Sequence, residues 1–235
     1  MYHQQHAFQR KISTQCIFFV LVILVAGYVG LTFIGWLTPV EVSCLSSAQV
    51  AELRQLSPQQ FAILSAAKER TTHKVNYKST YYTTNGGKPP DNEGVCTDLF
   101  WRSLEGAAID FPQLLAKDMQ QRTPDYPLSI WRTSKTDPLI DYRRVPNIHT
   151  YLEKYAEKLS LNLTACDMSS IRTWKPADIV VFRSKPGSPP DHIAIVSDKH
   201  DALGIPYLIH NYGVGEVEQP GIFWFPFAAG HYRWQ

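Results

Sequence analysis

A thiol and two imidazoles carry the chemistry available to this sequence. Cys96 lies in Gly94-Val95-Cys96-Thr97-Asp98, where a loop rich in Gly, Pro, Asp and Asn gives way to a helical pattern. His192 opens an apolar run, His192-Ile193-Ala194-Ile195-Val196, and His210 sits inside the next one, Leu208-Ile209-His210-Asn211-Tyr212. The thiolate, not the thiol, is the nucleophile, and unpaired N–H groups at a helix N-terminus favour an anion there. A nearby imidazolium lowers the thiol pKa further and later protonates the leaving group. A third polar group holds that imidazole in one tautomer, and backbone N–H groups around the nucleophile serve as oxyanion donors. His210 and Asn211 both qualify for the third role. Neighbours on a strand point to opposite faces, so one of the two faces His192.

The elements that must position these groups follow from the pattern. Ser47 to Arg70 reads as two short helices, the second opened by Ser57-Pro58 as cap and first turn. Thr71 to Thr84, rich in Tyr and Thr, reads as extended. Val95 to Ala108 is the helix carrying Cys96, with Leu99, Phe100 and Leu104 on its apolar face and Asp98 and Arg102 spaced to pair on its surface. Phe111 to Met119 is a further helix, Thr123 to Pro146 a long surface loop, and Ile148 to Leu161 an amphipathic helix. Leu152, Tyr155, Ala156 and Leu159 mark that last helix's buried side. Residues 178–182, 192–196 and 207–210 are short apolar runs separated by Gly, Pro or Asp turns, the signature of an antiparallel meander. Phe223 to Phe227 and Gly230 to Trp234 are expected as edge strands. Helices first and sheet second predict an α+β fold.

Cys16 to Leu37 contains no charged residue and is long enough to span a bilayer as a helix, with Arg10 and Lys11 before it and Glu41 after it. The positive-inside rule puts the N-terminus in the cytoplasm and the rest outside. The expected organisation is a cytoplasmic tail (1–15), a transmembrane anchor (16–38) with a cleaved signal as the alternative, a helical linker region (39–70) and one catalytic domain (71–235). Of the four cysteines, Cys44 and Cys166 would face an oxidising compartment and can pair, leaving Cys96 as the odd, reactive thiol. No Cys/His spacing suits zinc, so neither metal nor cofactor is expected. A net charge of +2 gives no argument for a nucleic-acid partner.

The motifs GVCTD, DYRRVPN, PADIVVF, DHIAIVSD, IHNYG and a closing GHYRW, in this order from about Ala66 to Gln235, resemble a bacterial extracytoplasmic domain-of-unknown-function family grouped with the NlpC-type, papain-like peptidoglycan cysteine hydrolases. The resemblance implies a papain-like core and cleavage of amide bonds in cell-wall peptides by an endopeptidase or amidase. It implies Cys96 as nucleophile, His192 as base and His210 as orienting group, with Asn211 as fallback. Asp98, Arg143 and Arg144 are candidates to hold the charged groups of a peptide stem, since Arg binds carboxylates in a fork. The expected protein is thus a single-pass inner-membrane enzyme with its catalytic domain in the periplasm. Two other readings use the same residues: a binding module for wall peptides or a protein, with the thiol unused, and an acyltransferase whose acyl-enzyme is resolved by an acceptor other than water.

Overall fold

The computed structural model describes residues 43–235. The expected cytoplasmic tail and membrane anchor lie outside the described residues. Among the described residues, no helix is long and apolar enough to cross a membrane.

Two capped helices open the chain: α1 (Ser47–Leu53) and α2 (Pro58–Arg70). Ser46 and Ser57 each accept the backbone N–H of the Gln three residues on, and each Gln side chain returns the bond. Residues 58–70, expected in a linker, belong to the main core through Ile63, Leu64 and Ala67. A two-residue parallel pair follows, β1 (Asn76–Tyr77) with β2 (Glu93–Gly94), and leads into α3 (Cys96–Glu105). The rest of 71–84, expected as extended, is irregular. Then come α4 (Phe111–Gln121), α5 (Val145–Tyr155), β3 (Glu157–Lys158), α6 (Met168–Ile171), β4 (Ile179–Phe182), β5 (His192–His200), β6 (Pro206–Asn211), β7 (Glu216–Pro220) and β8 (Ala228–Arg233).

The main sheet is antiparallel throughout, in the order β3-β8-β4-β5-β6-β7. The fold is therefore α+β. The meander β4-β5-β6 matches its sequence pattern. The other end of the sheet does not: 228–233 is an internal strand between β3 and β4, and Phe225–Phe227 is a 3-10 turn. The strand β7 had no apolar run to announce it, because Glu216, Glu218 and Gln219 break the pattern.

Strand alternation sorts the sheet into two faces. Ile179, Val181, Ile193, Ile195 and Ile209 pack on α3 through Leu99, Phe100 and Leu104. Val180, Phe182, Ala194, Val196 and Leu208 pack on Trp174 on the opposite face. With both faces covered, β4 is apolar at every position, which is how it reads in sequence.

Every residue of α3 from Cys96 to Leu104 is buried, so its polar side chains must be satisfied internally. Asp98 and Arg102, expected to pair on the surface, do otherwise. Arg102 donates to the carbonyls of Pro89, Pro90 and Glu93, while Asp98 pairs with Arg143. Arg143 comes from the stretch 123–146, expected as a surface loop. That stretch is instead three 3-10 turns that bury Leu128, Asp141, Tyr142 and Arg143. The helix α5 starts at Val145 rather than Ile148, with Pro146 in its first turn, and ends at Tyr155 because the chain turns into β3. Its Leu152 is buried as expected, whereas Tyr155 is exposed.

Cys44 and Cys166 form a disulfide across a sequence separation of 122. Both are also tied to the β5–β6 turn, Cys44 N–H donating to Ala202 O and Cys166 N–H to Leu203 O. A crosslink closing so long a loop removes much entropy from the unfolded chain. Reduction of the full chain, or Cys44→Ala, is expected to destabilise it by about 3–5 kcal/mol. Thermal melts with and without dithiothreitol check this, and an unchanged melting temperature would refute it.

Candidate functional site

Cys96 occupies the first turn of α3, where helix N–H groups have no internal partner. The backbone N–H groups of Ile193, Thr97 and Cys96 itself favour its thiolate. The approach of Ile193 has a topological reason. The β5–β6 ladder reaches only to Ile195 opposite Ile209, three residues from the start of β5 and two from the end of β6, so the strands part before Ile193 and Asn211. The sulfur sits at that parting.

Parity then decides which histidine-side group faces which. His192, His210 and Tyr212 lie on the Trp174 side of the sheet, and Ile193 and Asn211 on the α3 side. His210, not Asn211, meets His192: His192 Nε2 is 2.6 Å from His210 Nδ1. Asn211 Nδ2 instead donates to Gly94 O at 3.2 Å, bracing the turn before the thiol, and its Oδ1 is buried without a partner. Trp224 covers the histidine pair, stacked on His192 at 4.9 Å and edge-on to His210 at 4.7 Å. Gln219 of β7 bonds the far nitrogen of His210, Nε2, at 2.7 Å.

Cys96 and His192 line adjoining cavities that share Tyr77, Ser184 and Asp191. The cavity on the His192 side, about 490 Å³, is walled by Phe182, Tyr212, Phe223, Trp224 and Phe227. The one on the Cys96 side, about 520 Å³, carries Trp131, Arg144 and Lys185.

The electrostatics run against the expected activation. Cys96 is only 4% exposed. Burial pushes its thiol up to about 12, outweighing the N–H donors, and the Asp98 carboxylate adds to the rise. Burial also lowers His192 to about 4. His210 falls to about 3, through burial first and His192 second. Burial thus favours the protonated thiol and the neutral imidazoles over a thiolate–imidazolium pair.

Asp98 and Arg143, expected to hold substrate, are committed to each other. Arg143 Nε reaches Asp98 Oδ1 at 2.8 Å and Nη2 reaches Oδ2 at 2.9 Å, with both side chains fully enclosed. Asp98 also accepts Val95 N–H at 2.8 Å and Trp101 Nε1 at 3.0 Å. The Asp98 oxygens are thus all taken, and the pair fixes the start of α3, while Arg143 also borders the Cys96-side cavity. Arg144 is different. It bonds Asp141 through Nη1 at 2.8 Å, lies 4.2 Å over the Trp131 ring and lines the Cys96-side cavity.

Sequence reasoning missed Tyr77, Gln219 and Trp224. Tyr77 is 45% exposed. It lines both cavities, and burial, then Cys96, Tyr212 and Asp98, push its hydroxyl up to about 12. The signal for Gln219 was its spacing from His210 across a Gly-containing turn, which makes the two diagonal neighbours on adjacent strands.

Comparison with known proteins gives a family. Residues 64–234 match the family described as Domain of unknown function (DUF1287). The chain is 31% identical over 175 residues to Uncharacterized protein YijF of Escherichia coli (strain K12), covering 74% of this chain and 80% of that relative. The chain belongs to the DUF1287 family.

The depressed histidines make stability depend on pH with a definite sign. The unfolded chain takes up protons near the ordinary histidine value of 6.5, whereas folded His192 and His210 stay neutral to about 4 and about 3. Their contribution is therefore fully present above pH 6.5 and is lost as pH falls toward 4, with a limiting slope of about 1.4 kcal/mol per pH unit for each. His149 and His200, also lowered by burial, act in the same direction. Urea unfolding at pH 7, 6 and 5 should show this decline, made shallower by His210→Gln. A flat profile over that range would contradict it.

Proposed function

We propose that this DUF1287-family chain is a cysteine hydrolase of the papain-like, NlpC type that cleaves amide bonds in peptidoglycan peptides. The observation that carries the reading is the thiol at a helix start beside a parted strand pair whose open end holds two hydrogen-bonded, neutral histidines. Two cavities open on this point and give a peptide room on either side.

In the proposed reaction, substrate entering the cavities brings its carbonyl to Cys96 and its amide nitrogen toward His192. His192 Nδ1 takes the thiol proton as Sγ attacks the carbonyl carbon. The N–H groups of Cys96 and Thr97, with the Tyr77 hydroxyl, meet the oxyanion. The C–N bond then breaks, the proton passes from His192 to the departing amine, and a thioester remains. Water attacks it with His192 again accepting a proton, which releases the acid and restores the thiol. Since the thiol rests protonated, proton transfer and attack occur together on bound substrate. Arg144, on the Cys96 side, is the candidate partner for a stem carboxylate.

The proposed location is the periplasmic side of the inner membrane, with residues 16–38 as anchor. The Cys44–Cys166 disulfide supports an oxidising compartment. The buried, high-pKa thiol favours a second reading, a module that binds wall peptides without cleaving them.

Full-length protein incubated with purified peptidoglycan tests both, with products read by mass spectrometry. New peptide fragments are expected from wild type and none from Cys96→Ala. Tyr77→Phe should lower kcat by about 10²-fold or more, the scale of one lost oxyanion donor. Retention on the wall with no fragments from wild type would select the binding module. Incorporation of an added amine without free acid would select the acyltransferase.

A further inference from the structure

His192, His210 and Gln219 stand on three consecutive strands, β5, β6 and β7, on one face of the sheet. Their side chains form one unbroken hydrogen-bonded row: His192 Nε2 to His210 Nδ1 at 2.6 Å, then His210 Nε2 to Gln219 at 2.7 Å. A neutral imidazole has one donor nitrogen and one acceptor nitrogen, so a choice at one end of such a row fixes every proton along it.

Two orders satisfy the row. If the Gln219 amide nitrogen donates, His210 Nε2 accepts, His210 Nδ1 donates, and His192 Nε2 accepts. His192 then carries its proton on Nδ1 and has no lone pair for the thiol. If instead the Gln219 amide oxygen accepts, His210 donates from Nε2 and accepts at Nδ1 from His192 Nε2–H. His192 Nδ1 is then bare and can take the thiol proton. The two orders differ by a half-turn of one terminal amide, whose oxygen and nitrogen occupy equivalent positions. Gln219 Nε2 is the atom that faces His210 Nε2 in the structure. Only the half-turned amide gives a working base.

We propose that Gln219 is a positioning residue whose side-chain oxygen, accepting from His210 Nε2–H, sets the tautomers of both histidines and leaves His192 Nδ1 open to the Cys96 thiol. The catalytic consequence rests on the proposed hydrolase reading, while the proton order itself does not. Trp224 strengthens the device by covering the row, since water reaching it would offer alternative partners at each nitrogen. Tyr212, stacked on His210 and edge-on to His192, closes the same side.

The test is nitrogen NMR of full-length protein in detergent micelles at pH 7, with the histidine rings labelled. Wild type should show His192 and His210 both protonated at Nε2. Gln219→Glu, an acceptor only, should keep that order. Gln219→Leu, which can neither donate nor accept, should raise the Nδ1–H fraction of His192. In the peptidoglycan assay the Leu variant should lose about 10²-fold in kcat with KM little changed, and the Glu variant should recover most of it. Unchanged His231 signals would show that each variant is folded. A wild-type His192 protonated at Nδ1, or tautomers identical in wild type and the Leu variant, would overturn the proposal. If wild type cleaves nothing, the hydrolase reading fails and the tautomer measurement still decides the role of Gln219.

Discussion

The buried Asp98–Arg143 pair is the constraint on which the rest of the site depends. Two charges enclosed in protein are tolerated only when their remaining hydrogen-bonding positions are filled, because the loss of hydration is otherwise uncompensated. Here they are filled by the segments that surround the thiol. Asp98 takes the Val95 N–H at the start of α3 and the Trp101 indole, while Arg143 Nη1 donates to Thr80 O at 2.7 Å. The pair thus fastens the helix start, the chain just after Tyr77 and the 141–143 turn to one another. Gly94 belongs to the same arrangement. A Cβ there would come within 3.0 Å of Asp98 Cβ, so a side chain would push the turn before Cys96 off the carboxylate.

With the helix start fixed, the sheet supplies the other half by coming apart. If β5 and β6 stayed paired to their ends, the Ile193 N–H would be offered to β6 and the thiol would lie behind an intact sheet. Their parting frees the Ile193 N–H for the sulfur, while His192 and His210 bond each other across the same open end. Asn211 Nδ2 and the Lys78 N–H both donate to Gly94 O, at 3.2 and 3.0 Å, so the opened end remains braced. One polar atom is left over, the buried Asn211 Oδ1. An unpaired buried group of this kind lowers stability.

How far the sequence discloses this depends on how local each cause is. The capped helices α1 and α2, the Cys96 helix and the β4–β6 meander follow from residues within one or two turns of each other. Strand parity says that one of His210 and Asn211 faces His192, and the register, Ile195 opposite Ile209, makes it His210. Asp98 and Arg143 resist the same treatment because their partnership spans 45 positions, and an isolated charge in a sequence reads as solvated. The inward 3-10 turns of 123–146 were hidden for a related reason. Short polar segments with scattered Tyr, Leu and Pro carry no period, and only the space beside α3 decides that they pack there. The rise of the thiol pKa is not legible locally, because the donors are visible in the motif whereas the enclosure that outweighs them is built by distant chain.

A thiol that rests protonated and enclosed changes what substrate must accomplish on the proposed reading. The nucleophile is not stored as an ion, so binding energy gathered away from the scissile bond must supply the cost of bringing thiol, imidazole and carbonyl together. The two cavities differ in what they offer for that purpose. One presents aromatic faces around His192, and the other presents Arg144, held over Trp131, together with Lys185. Arg144 is well suited to act at a distance from the chemistry, because Asp141 and the Trp131 ring orient its guanidinium before any ligand arrives. A ligand lacking an anionic group on that side would forgo this contact and with it part of the drive to bring thiol, imidazole and carbonyl together. On that reading, selectivity and activation are one property of the site.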